Sequence, residues 1–362
     1  MRESFKIDFF IGGDISLNKE EFEFLGITKF HEAGYRGQGI IICSKENIIE
    51  GIFDDVFCLE YEKPDEWSRH GTTVMDYIRQ VAPEATKWAI ETQGTTKNGV
   101  LYSKGMDYLQ KNAPDILTTS FFKSSDIKEP KKSLYTQLYD KGCFLILSAG
   151  NKDEEIEKLA EGDMWKAVGA CRFNNGKLKV EKDYAAGPEM DFVSLHNLYS
   201  MWDESKHKGT SFSAPLFAGM CALVQCFFLK KTGKKLSHKK MLKFVIDNCL
   251  DLEDEGRDHK TGHGLFILPD PANIDISKYC EDYEESGEED MPKYNTLAEV
   301  PEWGKSTVEK LINKGALKGD ENGNLNISEE LLRTFVIHDR LGIYDLVLST
   351  ENSAESAENV AE

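Results

Sequence analysis

The sequence lacks the features that three classes of protein would need. It carries 63 acidic against 44 basic residues, and the resulting net charge of -19 disfavours binding to a phosphate backbone. No apolar run approaches the roughly 18 residues that a membrane-spanning helix needs. The N-terminus makes a poor signal peptide because charges interrupt its short apolar stretch. We therefore expect a cytoplasmic protein that binds neither nucleic acid nor a membrane.

Cysteine pairs of the kind that bind zinc are also missing. Eight cysteines are scattered along the chain, and no two of them form a CxxC pair. Without an export signal, the expected compartment keeps such thiols reduced. The sequence thus predicts free cysteines and no zinc site.

The chain does have alternating strand-like and helical patterns between about Leu25 and Pro271. The apolar runs that predict strands are 40–43, 115–121, 143–148 and 164–170. Helical patterns lie at 72–80, 105–112 and 133–141. Continuous apolar strands separated by helices indicate a parallel sheet covered on both faces. Reactive groups in such a sheet collect at the carboxyl ends of its strands.

A turn of small residues precedes a mostly apolar helical stretch. The turn reads Gly-Thr-Ser-Phe-Ser-Ala-Pro at 209–215, and the predicted helix runs from Leu216 to Leu229 with Pro215 in its first turn. A helix N-terminus directs N–H groups and the positive end of its dipole toward developing negative charge, which makes Ser211 a candidate nucleophile. Alone, Ser211 fits an ordinary helix cap equally well.

Two further short motifs offer partners for a nucleophile. His70 opens a helical pattern as His-Gly-Thr, and histidine suits general-base work because its pKa lies near neutrality. Asn151 follows an apolar strand in Ser-Ala-Gly-Asn, where its side-chain amide can donate to an oxyanion. Taken alone, each motif has a structural alternative: a packed or exposed histidine, and a Gly-Asn turn.

Together and in this order, the three motifs resemble those of the subtilisin family of serine proteases. Segments 25–39, 184–192 and 262–265 are also similar to that family. The resemblance covers roughly Leu25 to Pro271 and implies an α/β fold of three layers with a mostly parallel sheet. It implies a serine endopeptidase whose chemistry requires no cofactor. Family members often bind structural Ca²⁺, but the sequence shows no ligand loop, so no metal site is predicted.

The resemblance also assigns roles to single residues. Ser211 is the acylated nucleophile and His70 the general base, while Asn151 and the Ser211 N–H hold the oxyanion. Contacts with an extended protein or peptide substrate are implied for Thr118, Thr119, Ser120, Gly150 and Thr210. Simple packing within the sheet is the alternative for the threonine pair. His196, His207 and His263 are not expected to be catalytic, because none of them opens a helix in a His-Gly-Thr motif.

The acid of the triad is where this sequence departs from the family pattern. Family members carry Asp after the first strand, where this chain has Glu46. Because the histidine needs only a carboxylate at hydrogen-bond distance, Glu46 is the first candidate, and Asp54 or Asp55 are the alternatives. Losing the acid costs about 3 × 10⁴ in turnover in subtilisin. A catalytically weak pseudoprotease, acting as a peptide-binding regulator or a phage structural protein, is therefore the alternative function.

Composition divides the rest of the chain into short parts. Residues 1–24 form an N-terminal extension, 25–276 the subtilisin-like domain and 277–293 an acidic linker. Residues 294–348 regain helical periodicity and resemble a small helical module of phage lysins, whereas 349–362 are predicted to be disordered. The module implies docking to a phage or cell-wall partner and a virion-associated location. A stabilising helical cap is the alternative.

Overall fold

The computed structural model describes residues 15–49, 51–59, 68–90, 95–97, 100–102, 104–120, 131–152, 156, 164–181, 183–280, 293–320, 323–340 and 344. The predicted C-terminal tail and most of the predicted linker and N-terminal extension lie outside these residues. The chain divides into two compact units, Met1–Tyr283 and Glu284–Glu362.

The first unit alternates helices and strands along most of its length. Its helices are α1 (Lys19–Phe24), α2 (Ile27–Glu32), α3 (Ser68–Val81), α4 (Lys104–Lys111), α5 (Lys131–Asp140), α6 (Thr210–Thr232) and α7 (His238–Asp247). Its strands are β1 (Ile41–Ser44), β2 (Val56–Leu59), β3 (Thr86–Ile90), β4 (Thr95–Lys97), β5 (Val100–Tyr102), β6 (Ile116–Thr119), β7 (Phe144–Ser148), β8 (Trp165–Asn174), β9 (Lys177–Val180), β10 (Met190–Leu195), β11 (Cys249–Leu250) and β12 (Leu265–Phe266).

One large sheet organises the first unit. Its strands follow the order β11-β12-β10-β8-β7-β6-β1-β3-β2, and β9 pairs with β8 outside this path. Every neighbouring pair from β12 to β2 is parallel, whereas β11 and β9 run antiparallel to their partners. The predicted mostly parallel sheet is confirmed.

Apolar side chains cover both faces of this sheet. Successive residues of a strand point to opposite faces, so Ile116 packs into one core and its neighbour Leu117 into another. The first core contains side chains of α3 and α6, and the second contains side chains of α4 and α5. Helices therefore lie on both faces, and the three-layer arrangement predicted from the subtilisin resemblance is confirmed.

Strand β1 lies at the point where the chain changes the side of the sheet on which it adds strands. After β1 the chain builds β2 and β3 on one side, and then β6, β7 and β8 on the other. A crevice for ligands forms outside the carboxyl ends of the strands at such a switch point. Residues that follow β1 and β6 therefore meet at one edge of the sheet.

Helix α6 begins earlier than the sequence predicts. It starts at Thr210 rather than Leu216, so Pro215 lies in its second turn and not in its first. The prediction was wrong because the first turn consists mainly of small polar residues, whose composition does not distinguish helix from turn. Gly209 precedes the helix with a φ of 130°, a conformation that favours glycine.

The same helix corrects the expectation about membrane spans. By length and composition α6 could cross a membrane, but 94% of its most apolar window is buried inside the protein. Its residues from Thr210 to Phe228 are buried. Such burial on all sides is typical of the central helix of a large core.

The second unit has a small core of its own. Its described elements are α8 (Glu302–Asn313), α9 (Glu329–Arg340), β13 (Lys293–Tyr294) and β14 (Ile327–Ser328). Val308 of α8 and Leu332 of α9 are fully buried in the same apolar cluster. Asp339 accepts hydrogen bonds from Thr307 Oγ1 at 2.9 Å and Lys310 Nζ at 2.6 Å. The predicted helical C-terminal unit is confirmed.

The packing of α6 on α3 depends on Gly219. A Cβ at this position would lie 2.7 Å from Val81 Cβ. We expect Gly219→Ala to lower the free energy of unfolding by about 1 kcal/mol, because overpacking of about 1–3 kcal/mol exceeds the roughly 1 kcal/mol that alanine gains in a helix. Denaturant unfolding measures the change. A variant as stable as the wild type would show that the two helices separate without cost.

Candidate active site

The loop after β1 carries Glu46 to the edge of the sheet. The pairing of β1 with β6 aligns Ser44 with Thr118, and the Lys45 N–H continues it by donating to Thr118 O at 2.9 Å. Glu46 follows at once and is only 5% exposed. Its Oε1 accepts a hydrogen bond from the Ser120 N–H at 3.0 Å. The carboxylate is thus buried at the carboxyl ends of two central strands.

Helix α3 brings the predicted base to this carboxylate. His70 is near the helix N-terminus, and its Nδ1 lies 3.4 Å from Glu46 Oε2. This separation allows an ion pair and exceeds a usual N–H···O hydrogen bond. Catalytic hydrogen bonds are often long in structures without substrate. The structure therefore brings Glu46 and His70 together.

Two neighbours of His70 explain why α3 approaches the loop so closely. A Cβ on Gly71 would lie 1.9 Å from the Asn47 carbonyl oxygen, so only glycine fits there. Thr72 Oγ1 accepts from the Ile49 N–H at 2.8 Å and donates to Ser68 O at 2.6 Å. The His-Gly-Thr motif thus joins the helix to the loop that carries Glu46.

The predicted nucleophile lies at the N-terminus of α6. Ser211 is the second residue of the helix and is 9% exposed. Its carbonyl oxygen accepts from Ser120 Oγ at 2.7 Å. The ring of Phe212, the next residue, lies 5.4 Å from the His70 ring between centroids. These contacts place Ser211, His70 and Glu46 in one cluster around Ser120.

Asn151 is oriented by Thr210, the residue that precedes the predicted nucleophile. Its Oδ1 accepts from the Thr210 N–H at 2.7 Å and from Thr210 Oγ1 at 3.0 Å. A backbone N–H can only donate, so the oxygen of the amide must face Thr210 and the Nδ2 group must face away. Gly209 permits this approach, since a Cβ there would lie 3.1 Å from Asn151 Oδ1. Asn151, which is exposed, thus directs its Nδ2 group away from Thr210.

The five residues with implied substrate contacts differ in their exposure. Thr118 and Thr119 are 0% and 2% exposed inside the sheet, which does not fit a direct substrate contact. Thr210 is also buried, and its hydroxyl accepts from the Gly150 N–H at 3.1 Å. Gly150 and Ser120 are partly exposed at the edge. Only these two remain accessible to a substrate as the structure stands.

The alternative acids lie away from His70. Asp55 pairs with Arg79 Nε at 2.7 Å and with Lys87 Nζ at 3.1 Å. Arg79 is nine positions after His70 on α3, about 13 Å along the helix axis. Burial raises the pKa of Asp55, but Lys87 and Arg79 outweigh it and hold that pKa below its ordinary value. Asp54 is exposed beside it. Glu46 is the candidate that the structure brings to the ring.

His196 supports the site in a way that the sequence does not predict. Its Nδ1 accepts from the Gly209 N–H at 2.9 Å, and its Nε2 lies 3.1 Å from Glu181 Oε1. Arg172 Nε contacts the same oxygen at 2.9 Å. Because Nδ1 accepts, the ring is neutral with its proton on Nε2. Burial lowers the pKa of His196, although Glu181 opposes the shift. No local motif marks this residue, which lies in a loop after β10.

The described part of the chain shows no candidate metal centre. No three His, Cys, Asp or Glu side chains within it are grouped so that they could hold a metal ion. All eight cysteines are free.

Comparison with known sequences decides the family. A model of the subtilase family matches residues 60–264. The chain belongs to the subtilase family. The match includes His70, Asn151 and Ser211, whereas Glu46 precedes it. It ends before the second unit, so the resemblance of that unit to phage-lysin modules stays a prediction. No curated protein is significantly similar in sequence to this subtilase.

Solved structures share the fold at low sequence identity. One is described as a lanthipeptide protease, with 18% identity and a TM-score of 0.54 over 69% of this chain and 94% of that chain. Another is described as the prenylagaramide maturation protease PagA, with 17% identity and a TM-score of 0.55 over 68% and 96% of the two chains. At such identities the likeness establishes the three-layer fold alone.

The buried neutral ring of His196 predicts how stability depends on pH. Because its pKa in the folded protein lies below the ordinary value of 6.5, unfolding takes up a proton at low pH. The stabilisation is present above pH 6.5 and is lost as the pH falls toward the folded pKa. In His196→Asn, Oδ1 keeps an acceptor near the position of Nδ1 but does not titrate.

We therefore expect the melting temperature of His196→Asn to fall less than that of the wild type between about pH 7.5 and about pH 5. His259→Asn is the matched control, since that histidine is exposed. A pH dependence equal to that of the wild type would contradict the neutral buried ring.

Proposed function

We propose that this subtilase is an active serine endopeptidase with Ser211 as nucleophile, His70 as general base and Glu46 as the acid of the triad. The observation that carries the proposal is the 3.4 Å separation between His70 Nδ1 and Glu46 Oε2. A pseudoprotease that has lost its acid would have no carboxylate beside His70. The position of Glu46 therefore favours the active protease over this alternative.

The arrangement supports one direction of proton transfer. A carboxylate beside Nδ1 favours the tautomer with its proton on that nitrogen, which leaves Nε2 as the base. In the proposed reaction, Nε2 takes the proton of Ser211 Oγ as the oxygen attacks the peptide carbonyl. The imidazolium then gives the proton to the leaving amine. Water hydrolyses the acyl-enzyme by the reverse sequence.

Two donors would stabilise the tetrahedral intermediate. The Asn151 Nδ2 group is turned away from Thr210, and the Ser211 N–H is among the first N–H groups of α6, which have no acceptor within the helix. The positive end of the helix dipole adds to their effect on an oxyanion. Removing one such side-chain donor costs about 10²–10³ in turnover in subtilisin.

The substrate in this proposal is a peptide bond in an extended protein or peptide chain. The partly exposed residues Ser120 and Gly150 lie at the crevice where such a chain would bind. Two structures of the same fold are described as a lanthipeptide protease and a maturation protease, which supports a peptide substrate here. The chemistry of the triad requires no cofactor.

Labelling with a fluorophosphonate, which phosphonylates activated serines, tests the triad. We expect the wild type to be labelled, Ser211→Ala to remain unlabelled and His70→Ala to react far more slowly. Glu46→Gln should slow the reaction by about 10³–10⁴, because the ring loses the carboxylate that orients it. The same variants are assayed for hydrolysis of an unstructured protein, with labelling normalised to the folded fraction.

The controls are Asp54→Asn and Asp55→Asn, which remove the alternative carboxylates. We expect both folded variants to label at nearly the rate of the wild type. If Glu46→Gln labels normally while one of these fails, the acid is not Glu46. A pure, folded wild type that neither labels nor hydrolyses peptides would overturn the proposal.

A further inference from the structure

Helix α6 lacks one of its own hydrogen bonds at the candidate nucleophile. In an α-helix the carbonyl of residue 211 accepts from the N–H of residue 215. Residue 215 is a proline inside the helix, and proline has no N–H. The Ser211 carbonyl oxygen instead accepts from Ser120 Oγ at 2.7 Å. A side chain that follows β6 thus supplies the donor that the helix itself cannot supply.

The backbone of the same serine holds the candidate acid. The Ser120 N–H donates to Glu46 Oε1 at 3.0 Å, while the other oxygen, Oε2, faces His70. Ser120 itself directly follows β6, which is paired with β1 on one side and β7 on the other. Ser120 is therefore positioned by a strand that is paired on both sides.

We infer that Ser120 is a positioning residue that connects the acid to the backbone of the nucleophile. Its N–H fixes the carboxylate that orients His70, and its hydroxyl fixes the carbonyl of Ser211. The second contact sets the direction of the Ser211 side chain and N–H relative to the strand edge. The hydroxyl therefore serves the nucleophile rather than the substrate. This inference rests on the proposed function of the triad.

Pro215 makes the inference testable by a double-mutant cycle. Ser120→Ala removes the donor to the Ser211 carbonyl, and Pro215→Ala returns an N–H within the helix. If the hydroxyl acts through that carbonyl, the loss caused by Ser120→Ala depends on which residue stands at 215. If it contacts the substrate, the loss is the same in both backgrounds.

In the full chain with Pro215, we expect Ser120→Ala to lower kcat on a peptide substrate on the order of tenfold, with KM changed by less than about twofold. Ser120→Thr, which keeps a hydroxyl, should recover most of the loss. In the Pro215→Ala background, the effect of Ser120→Ala should shrink to less than about threefold. Fluorophosphonate labelling rates should follow kcat.

Ser237→Ala is the matched control. This serine accepts from the Lys240 N–H at the start of α7, so its loss also removes one hydrogen bond at a helix but leaves the site intact. It should lower stability without changing kcat. An unchanged kcat in folded Ser120→Ala, or equal losses in the two backgrounds, would overturn the inference.

Thermal unfolding separates this inference from the proposed function. The wild type, the two single variants and the double variant are compared. Ser120→Ala should lower the melting temperature more with Pro215 in place than in the Pro215→Ala background, even if no variant hydrolyses peptides. A wild type that shows this coupling but has no activity would contradict the protease proposal and support the positioning role of Ser120. If the effects of the two substitutions on melting temperature and on rate are additive, Ser120 does not act through the Ser211 carbonyl, while the protease proposal stands.

Discussion

The pairing of β1 with β6 is the constraint on which the site depends. The register aligns Ser44 with Thr118, and Glu46 and Ser120 each follow two residues later, just beyond the ends of the two strands. Those two residues are joined by a hydrogen bond of 3.0 Å. A slip in this register would therefore separate the two residues. Sheet register, together with the contacts of the loop with α3, sets where the candidate acid lies.

A buried carboxylate is costly unless nearby groups compensate for the lost water. Glu46, at 5% exposure, has the Ser120 N–H and the His70 ring as neighbours. It also lies at the N-terminus of α3, where a Cβ on Gly71 would be 3.0 Å from its Cβ. A helix N-terminus favours negative charge. Ser211 lies at the N-terminus of α6, so two helix N-termini meet at one edge of the sheet.

Much of the architecture could be predicted from the sequence because it depends on local patterns. Apolar runs and helical periodicity indicated the parallel sheet, and the order of His-Gly-Thr, Ser-Ala-Gly-Asn and Gly-Thr-Ser indicated the family. The His-Gly-Thr glycine is explained by the loop carbonyl next to it. Such short-range requirements leave a mark on the sequence itself.

What could not be predicted depends on contacts between distant segments. The hydrogen bond from Gly209 to His196 and the hydrogen bonds of Ser120 to Glu46 and Ser211 join residues that no motif connects. The start of α6 was missed because the small polar residues of its first turn fit a turn equally well. Pro215 lies in the second turn of the helix, where Ser120 supplies the hydrogen bond that proline cannot donate. The family resemblance implied substrate contacts for Thr118 and Thr119, whereas pairing with β1 and β7 buries both residues.

Nitrogen NMR of the protein with labelled histidine rings shows whether Glu46 selects the tautomer of His70. Assignment comes from the signals that disappear in His70→Ala. If Glu46 is the acid of the proposed triad, the neutral His70 ring carries its proton on Nδ1, and Glu46→Gln shifts the signals of Nδ1 and of its proton. A neutral ring protonated on Nε2, with signals that do not respond to Glu46→Gln, would rule out this role of Glu46.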